Sequence, residues 1–208
     1  MSATDLGPST TPLPSGDDVE VGIPAILDVV GLTTSLIDRG AVLSAEEFTV
    51  ALFRVSGDEG PVLLDALHQH RLVTDLDVGQ VVGLVWSGAE YPDRILSRDQ
   101  WRGLFAAAGY TEDGHRVPRP TAPQQLYRGS VADRRDDWSW TDSRDVARTY
   151  AAGGFGGRLP GAIWTALVAP DRLLARNRDR DEFEYVVDTT GLTIEPVPGC
   201  AAFANAPS

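Results

Sequence analysis

The chain contains no lysine: all 18 of its basic residues are arginine, set against 30 acids. Any anion it holds must therefore be met by guanidinium groups, backbone amides or helix ends. Cysteine is nearly as scarce. Cys200 is alone in 208 residues, which excludes an internal disulfide and fits a reducing compartment. No apolar run is long enough to span a bilayer, and the start lacks the basic segment and apolar core of a secretion signal. The expected location is the cytoplasm, without membrane contact. An excess of positive charge is missing too. The formal charge is −12, and so acidic a chain is a poor non-specific ligand for nucleic acid.

What remains is an ordinary apolar content, 42% of the residues, enough to bury a core in one domain or two small ones. The charge is unevenly spread: residues 1–115 hold 18 acids and 6 arginines, whereas 116–208 hold 12 of each. The acidic first half suits either a surface for a partner or a layer that covers the rest of the chain. The neutral second half can approach an anionic small molecule where its arginines converge.

The texture divides the chain into five stretches. Residues 1–19, rich in Ser, Thr, Pro, Gly and Asp, read as a disordered leader. Residues 20–110 read as helical: capping boxes at Ser44–Glu47 and Ser97–Gln100, Pro61 in a first turn, and apolar stripes Phe48/Ala51/Leu52, Val81/Val82/Val85/Trp86 and Trp101/Leu104/Phe105/Ala108. Residues 111–124, polar and Pro-rich, read as a linker, and 201–208 as a tail. Between them, 125–200 carries six short strand signals: 125–129, 138–141, 162–168, 173–175, 183–188 and 192–196. One helix interrupts them, with Asp142 as its expected N-cap, an apolar stripe through Tyr150, and Gly153 and Gly154 as its stop. The expected class is α+β: an N-terminal helical region followed by a six-strand core.

Three motifs stand out in that core. In Asp181–Asp188, "DEFEYVVD", strand periodicity puts Glu182 and Glu184 on one face, with Phe183 and Tyr185 on the other. Two such carboxylates stand about 7 Å apart, two residue rises, and repel. A solvated edge strand explains them without any function. Arg128 precedes Gly129, whose missing side chain admits another group to the backbone; the guanidinium is either half of an ion pair or a fork for phosphate oxygens. In Ser139-Trp140-Thr141 both hydroxyls share a face, either solvated or oriented toward a ligand. Tyr150 is either core or a stacking surface.

Taken in this order, the three motifs resemble the Arg–Ser–Glu branch of the ADP-ribosyltransferase superfamily, which includes many bacterial toxins. Arg128 matches the first-strand arginine, Ser139 and Thr141 the Ser-x-Ser/Thr motif, and Glu182 and Glu184 the Glu-x-Glu motif. The match spans roughly 124–196 and leaves the helical half unaccounted for. It implies a split β-sheet core and a reaction with NAD+ as substrate. Cleaving the nicotinamide–ribose bond builds an oxocarbenium-like cation, which a fixed carboxylate stabilises. By this resemblance Glu184 is that catalytic carboxylate and Glu182 handles the incoming nucleophile. Arg128 holds the pyrophosphate, Ser139 and Thr141 belong to the NAD+ site with Ser139 on the nicotinamide ribose, and Tyr150 stacks on nicotinamide.

A glutamate at the first motif position accompanies, in that family, transfer to arginine, and the charged loop 177–181 falls where the family recognises a protein acceptor. Water or phosphate as acceptor would make the chain an NAD+ glycohydrolase or phosphorylase toxin, and loss of activity would leave a nucleotide- or partner-binding module of the same fold. Only ten residues separate Arg128 from Ser139, where the family inserts more, and the N-terminal helices are the candidate cover for that side. Other motifs carry less. "GGFGG" at 153–157 follows a helix instead of opening one, so it reads as a loop. His68 and His70, at i and i+2, diverge on a helix, and no metal site is expected.

Overall fold

Helix signals in the first half translate into six helices in the computed structural model, which describes residues 28–154, 159–178 and 183–198. These are α1 (Val29–Arg39), α2 (Ala45–Leu52), α3 (Gly60–Gln69), α4 (Asp75–Gly88), α5 (Pro92–Ile95) and α6 (Arg98–Ala108). Both capping boxes form. Ser44 N donates to Glu47 Oε2 at 2.9 Å while Glu47 N donates to Ser44 Oγ, and Ser97 and Gln100 do the same at α6. Each satisfies two amide donors that a helix start otherwise leaves unpaired. The apolar stripes then set the packing. Val78, Val81, Val82, Val85 and Trp86 form one buried face of α4 against Trp101, Leu104, Phe105 and Ala108 of α6.

The second half supplies a mixed sheet of eight strands: β1 (Thr111–Glu112), β2 (His115–Arg116), β3 (Gln124–Ser130), β4 (Ser139–Thr141), β5 (Ala162–Val168), β6 (Leu173–Asn177), β7 (Glu184–Val187) and β8 (Glu195–Pro196). Their spatial order is β2-β1-β6-β7-β4-β3-β5-β8. The six-strand expectation is corrected to eight, because the stretch read as a linker contains a hairpin. Asp113 and Gly114 turn it with φ of 49° and 76°, the pair of left-handed residues that a two-residue hairpin loop demands. Its first strand then pairs in parallel with β6, Thr111 beside Ala175.

Helix α7 (Arg144–Ala151) follows β4. Its N-cap is Ser143, whose Oγ accepts from Val146 N at 3.3 Å, and not the expected Asp142. Gly129 brings α7 onto β3 so closely that a Cβ there would lie 2.0 Å from Ala147 O. The group that approaches this glycine is thus helix backbone.

Helices and sheet share one apolar core: Ala175 of β6, Val186 of β7 and Trp138 pack with the buried faces of α2, α3, α4 and α6. The other sheet face buries Leu126, Trp140, Ala166, Tyr185 and Val187 under Val117, Leu192 and Ile194. At the centre β3 and β4 pair at a single position, Tyr127 with Thr141, and beyond it toward Ser139 the two strands separate. Among the described residues no helix is long and apolar enough to cross a membrane. The leader, the tail, Glu182, Cys200 and most of the loop 177–181 lie outside the described residues.

Candidate active site

The separation of β3 from β4 opens a cleft of about 570 Å³. Its floor is β3, β4 and the start of β7, and its walls are α7 on one side and residues 86–94, from the last turn of α4 through the start of α5, on the other. Arg128, Ser139, Thr141, Tyr150 and Glu184 all line it. Residues distant in sequence are brought together by strand register, which sets Thr141 opposite Glu184 and Asn177 opposite Glu184 on the other side.

Glu184 is held by three donors. Trp86 Nε1 donates to its Oε1 at 3.2 Å, and Ser87 Oγ and Asn177 Nδ2 donate to its Oε2 at 2.8 and 3.0 Å. Asn177 Nδ2 also donates to Ser87 Oγ at 3.0 Å, closing a triangle around that oxygen. The indole N–H is shared, reaching Ser139 Oγ at 3.3 Å as well. One donor therefore ties together the hydroxyl and the carboxylate that the sequence singled out. Trp86 can do this because its ring is fixed: Trp101 meets it edge-on at 4.9 Å, Phe105 lies at 5.9 Å and Trp138 stacks at 6.0 Å.

The strand expected over 183–188 starts one residue later. Phe183 has φ of +48°, a left-handed conformation that is an outlier for a bulky residue. Strand β7 begins only at Glu184, so the alternation that would have set Glu182 beside Glu184 does not run through Phe183. Glu182 itself lies outside the described residues.

Arg128 is more deeply engaged than a phosphate fork would be. Its Nε donates to Arg134 O at 2.9 Å, its Nη1 to Ser139 O, and its Nη2 to Asp137 Oδ2 at 2.8 Å. Burial pushes the Arg128 guanidinium pKa down and the Asp137 carboxyl up, each opposed by the other's charge. An arginine keeps its proton regardless, so the two form an ion pair that bolts β4 to β3 just where the strands part. Thr141 is likewise structural in part: its Oγ1 accepts from Ser143 N at 3.1 Å, shaping the turn into α7. Tyr150 stands on the α7 wall. At the rim, Tyr91 lies under two guanidinium groups, Arg134 at 4.4 Å and Arg94 at 4.6 Å, contacts that favour a cation over an aromatic face.

Trp86, Ser87 and Asn177 escape a reading of the sequence. Trp86 counts there as one more apolar residue of the α4 stripe, and Asn177 as the start of a charged loop. The available signal was the polar Ser87 directly after an indole at a helix end, together with the β6–β7 hairpin register. No cluster of His, Cys, Asp and Glu able to hold a metal occurs among the described residues. Comparison with protein-family models, with curated proteins and with solved structures finds no match to this chain.

Proposed function

We propose that the protein is an ADP-ribosyltransferase that consumes NAD+, cleaving the nicotinamide–ribose bond and passing ADP-ribose to a macromolecular acceptor. One observation carries this reading: Glu184 and Ser139 share the Trp86 N–H at the floor of a cleft of about 570 Å³ that Arg128 also lines. A cleft of a few hundred cubic ångströms suits a nucleotide-sized ligand. In the reaction the bond between C1′ and the nicotinamide nitrogen breaks, and its electron pair leaves with neutral nicotinamide. The ribose is left as an oxocarbenium-like cation. The Glu184 carboxylate, already held by three donors, is positioned to stabilise that charge without reorganising. Ser139 accepts from Trp86, so its own O–H can point at a ribose oxygen. The acceptor then attacks C1′ and gives up its proton, the role left to Glu182.

Arg128 serves in this reading by fixing β4 and lending positive potential, while the rim guanidiniums of Arg134 and Arg94 meet the pyrophosphate. Tyr150 flanks the nicotinamide. The test is incubation with NAD+ labelled in its adenylate phosphate, alone and with cell lysate. The wild type is expected to release nicotinamide and label a macromolecule, and Glu184→Gln to lose both on the order of 100- to 1,000-fold. Nicotinamide release with the label only in a small molecule and in no macromolecule would assign water or phosphate as the acceptor, and no release under any condition would overturn the proposal.

A further inference from the structure

The three donors to Glu184 come from outside the Arg128, Ser139–Thr141 and Glu182–Glu184 motifs, and two of them come from the helical half. We propose that Trp86 and Ser87, at the end of α4, together with Asn177, at the end of β6, are positioning residues that set Glu184 for the chemical step. This rests on the functional reading above, because it assigns the helical layer a task within the same reaction. The layer then does more than cover the cleft.

The argument is one of rotamer control. A glutamate at the first residue of a strand, next to a left-handed Phe183, has three side-chain torsions to place. Free in a cleft, it would sample several of them. Here Oε1 takes the indole N–H and Oε2 takes a hydroxyl and an amide, so both oxygens are addressed and the carboxylate plane is set. Each holder is itself held. Trp86 is wedged by Trp101, Phe105 and Trp138, and Asn177 sits directly across the β6–β7 pair from Glu184. Such supporting groups keep a reacting atom within a fraction of an ångström of its productive place. Since the bonds at issue run to the carboxylate, their loss should fall mainly on kcat, with a smaller change in KM for NAD+.

The experiment compares wild type with Trp86→Phe, which keeps one aromatic ring and loses the N–H together with the rest of the indole's five-membered ring, and with Ser87→Ala, which loses only a hydroxyl. A hydrogen bond to a charged group is worth about 1.5–3 kcal/mol, so each variant should lose about 10- to 100-fold in kcat. A parallel measurement needs no turnover. In an indole ¹H–¹⁵N spectrum the Trp86 signal, assigned by its loss in Trp86→Phe, should move strongly in Glu184→Ala. Unchanged kcat in both variants, or an indole signal indifferent to Glu184, overturns the assignment. A wild type inert toward NAD+ instead overturns the functional reading, and the spectrum still decides whether Trp86 holds Glu184.

Discussion

Arg128 Nη2 and Arg134 Nε both donate to the same oxygen of Asp137, at 2.8 and 2.7 Å. One carboxylate oxygen thus joins the strand arginine to the loop that precedes β4, and the Arg128 Nη1 bond to Ser139 O ties that strand in as well. Removing one partner of so enclosed a pair strands the other's charge, at about 3–5 kcal/mol. Asp137→Ala is therefore expected to unfold at a markedly lower denaturant concentration than the wild type. Arg128→Lys should fall between them, since a lysine cannot reach three acceptors with a planar fork. Equal midpoints for all three proteins would mean that the network contributes nothing.

The Asp113–Gly114 turn sets the hairpin against α4. A Cβ on Gly114 would lie 2.7 Å from Gln80 O, and the residue already sits at φ of 76°. Gly114→Ala meets both a left-handed penalty and backbone that cannot step aside. We expect a loss of about 2 kcal/mol or more in urea unfolding. A loss no larger than that of an exposed helix substitution would show that the hairpin is free to shift.

These two features mark how much could be seen in the sequence. Helix starts at Ser44 and Ser97 were legible because a capping box is a local signal that tertiary contacts do not override. Residue type and strand periodicity marked the three motifs, whereas grouping Arg128, Ser139 and Glu184 rested on the family resemblance, and the three do line one cleft. The hairpin was missed although Asp-Gly is a strong turn signal, since strands of two residues carry no periodicity to notice. Phe183 broke the alternation argument for the opposite reason: its residue type favours a strand, and only the fold imposes the left-handed turn. Two donors to Glu184 were invisible because they reach it across 98 residues (Trp86) and 97 residues (Ser87), and Asn177, only 7 residues away, because its place depends on the β6–β7 register.

Phe183 offers a test of that conflict. Its φ of +48° costs on the order of 1 kcal/mol for a residue with a Cβ, and the residue is 40% exposed, so its ring keeps part of its packing. Relieved strain and lost packing should nearly cancel, and Phe183→Gly should match the wild type within about 1 kcal/mol in denaturant titration. A clear loss would mean that the ring is anchored by contacts worth more than the strain.

Asp188 gives the fold a pH signature. Burial pushes its carboxyl up, but hydrogen bonds from Arg102 at 2.9 and 3.1 Å and from Thr190 N outweigh that and bring it down to about 2. A carboxylate whose folded value lies below its unfolded one stabilises the fold above the unfolded value, about 4. That contribution fades as pH falls through the folded value. The stability gap between wild type and Asp188→Asn should thus be full at pH 6 and shrink between about pH 4 and pH 2. A gap that stays constant across that range would separate Asp188 from the acid transition.

Gly83 separates stability from activity most cleanly. It lies inside α4, where glycine costs up to about 1 kcal/mol relative to alanine. The three atoms nearest to a Cβ there all belong to the Asn177 amide, with Oδ1 at 2.6 Å. That amide ends a flexible side chain, so Gly83→Ala can be accommodated by swinging it aside. Doing so removes its bonds to Glu184 Oε2 and Ser87 Oγ. The helix gains what the amide loses, and the unfolding midpoint should stay close to that of the wild type. Nicotinamide release, by contrast, should fall about tenfold through kcat, because the carboxylate loses one of its three holders. A variant equally stable and equally fast would show that Asn177 is not needed to place Glu184, whereas a destabilised one would mean that α4 cannot tolerate the methyl group.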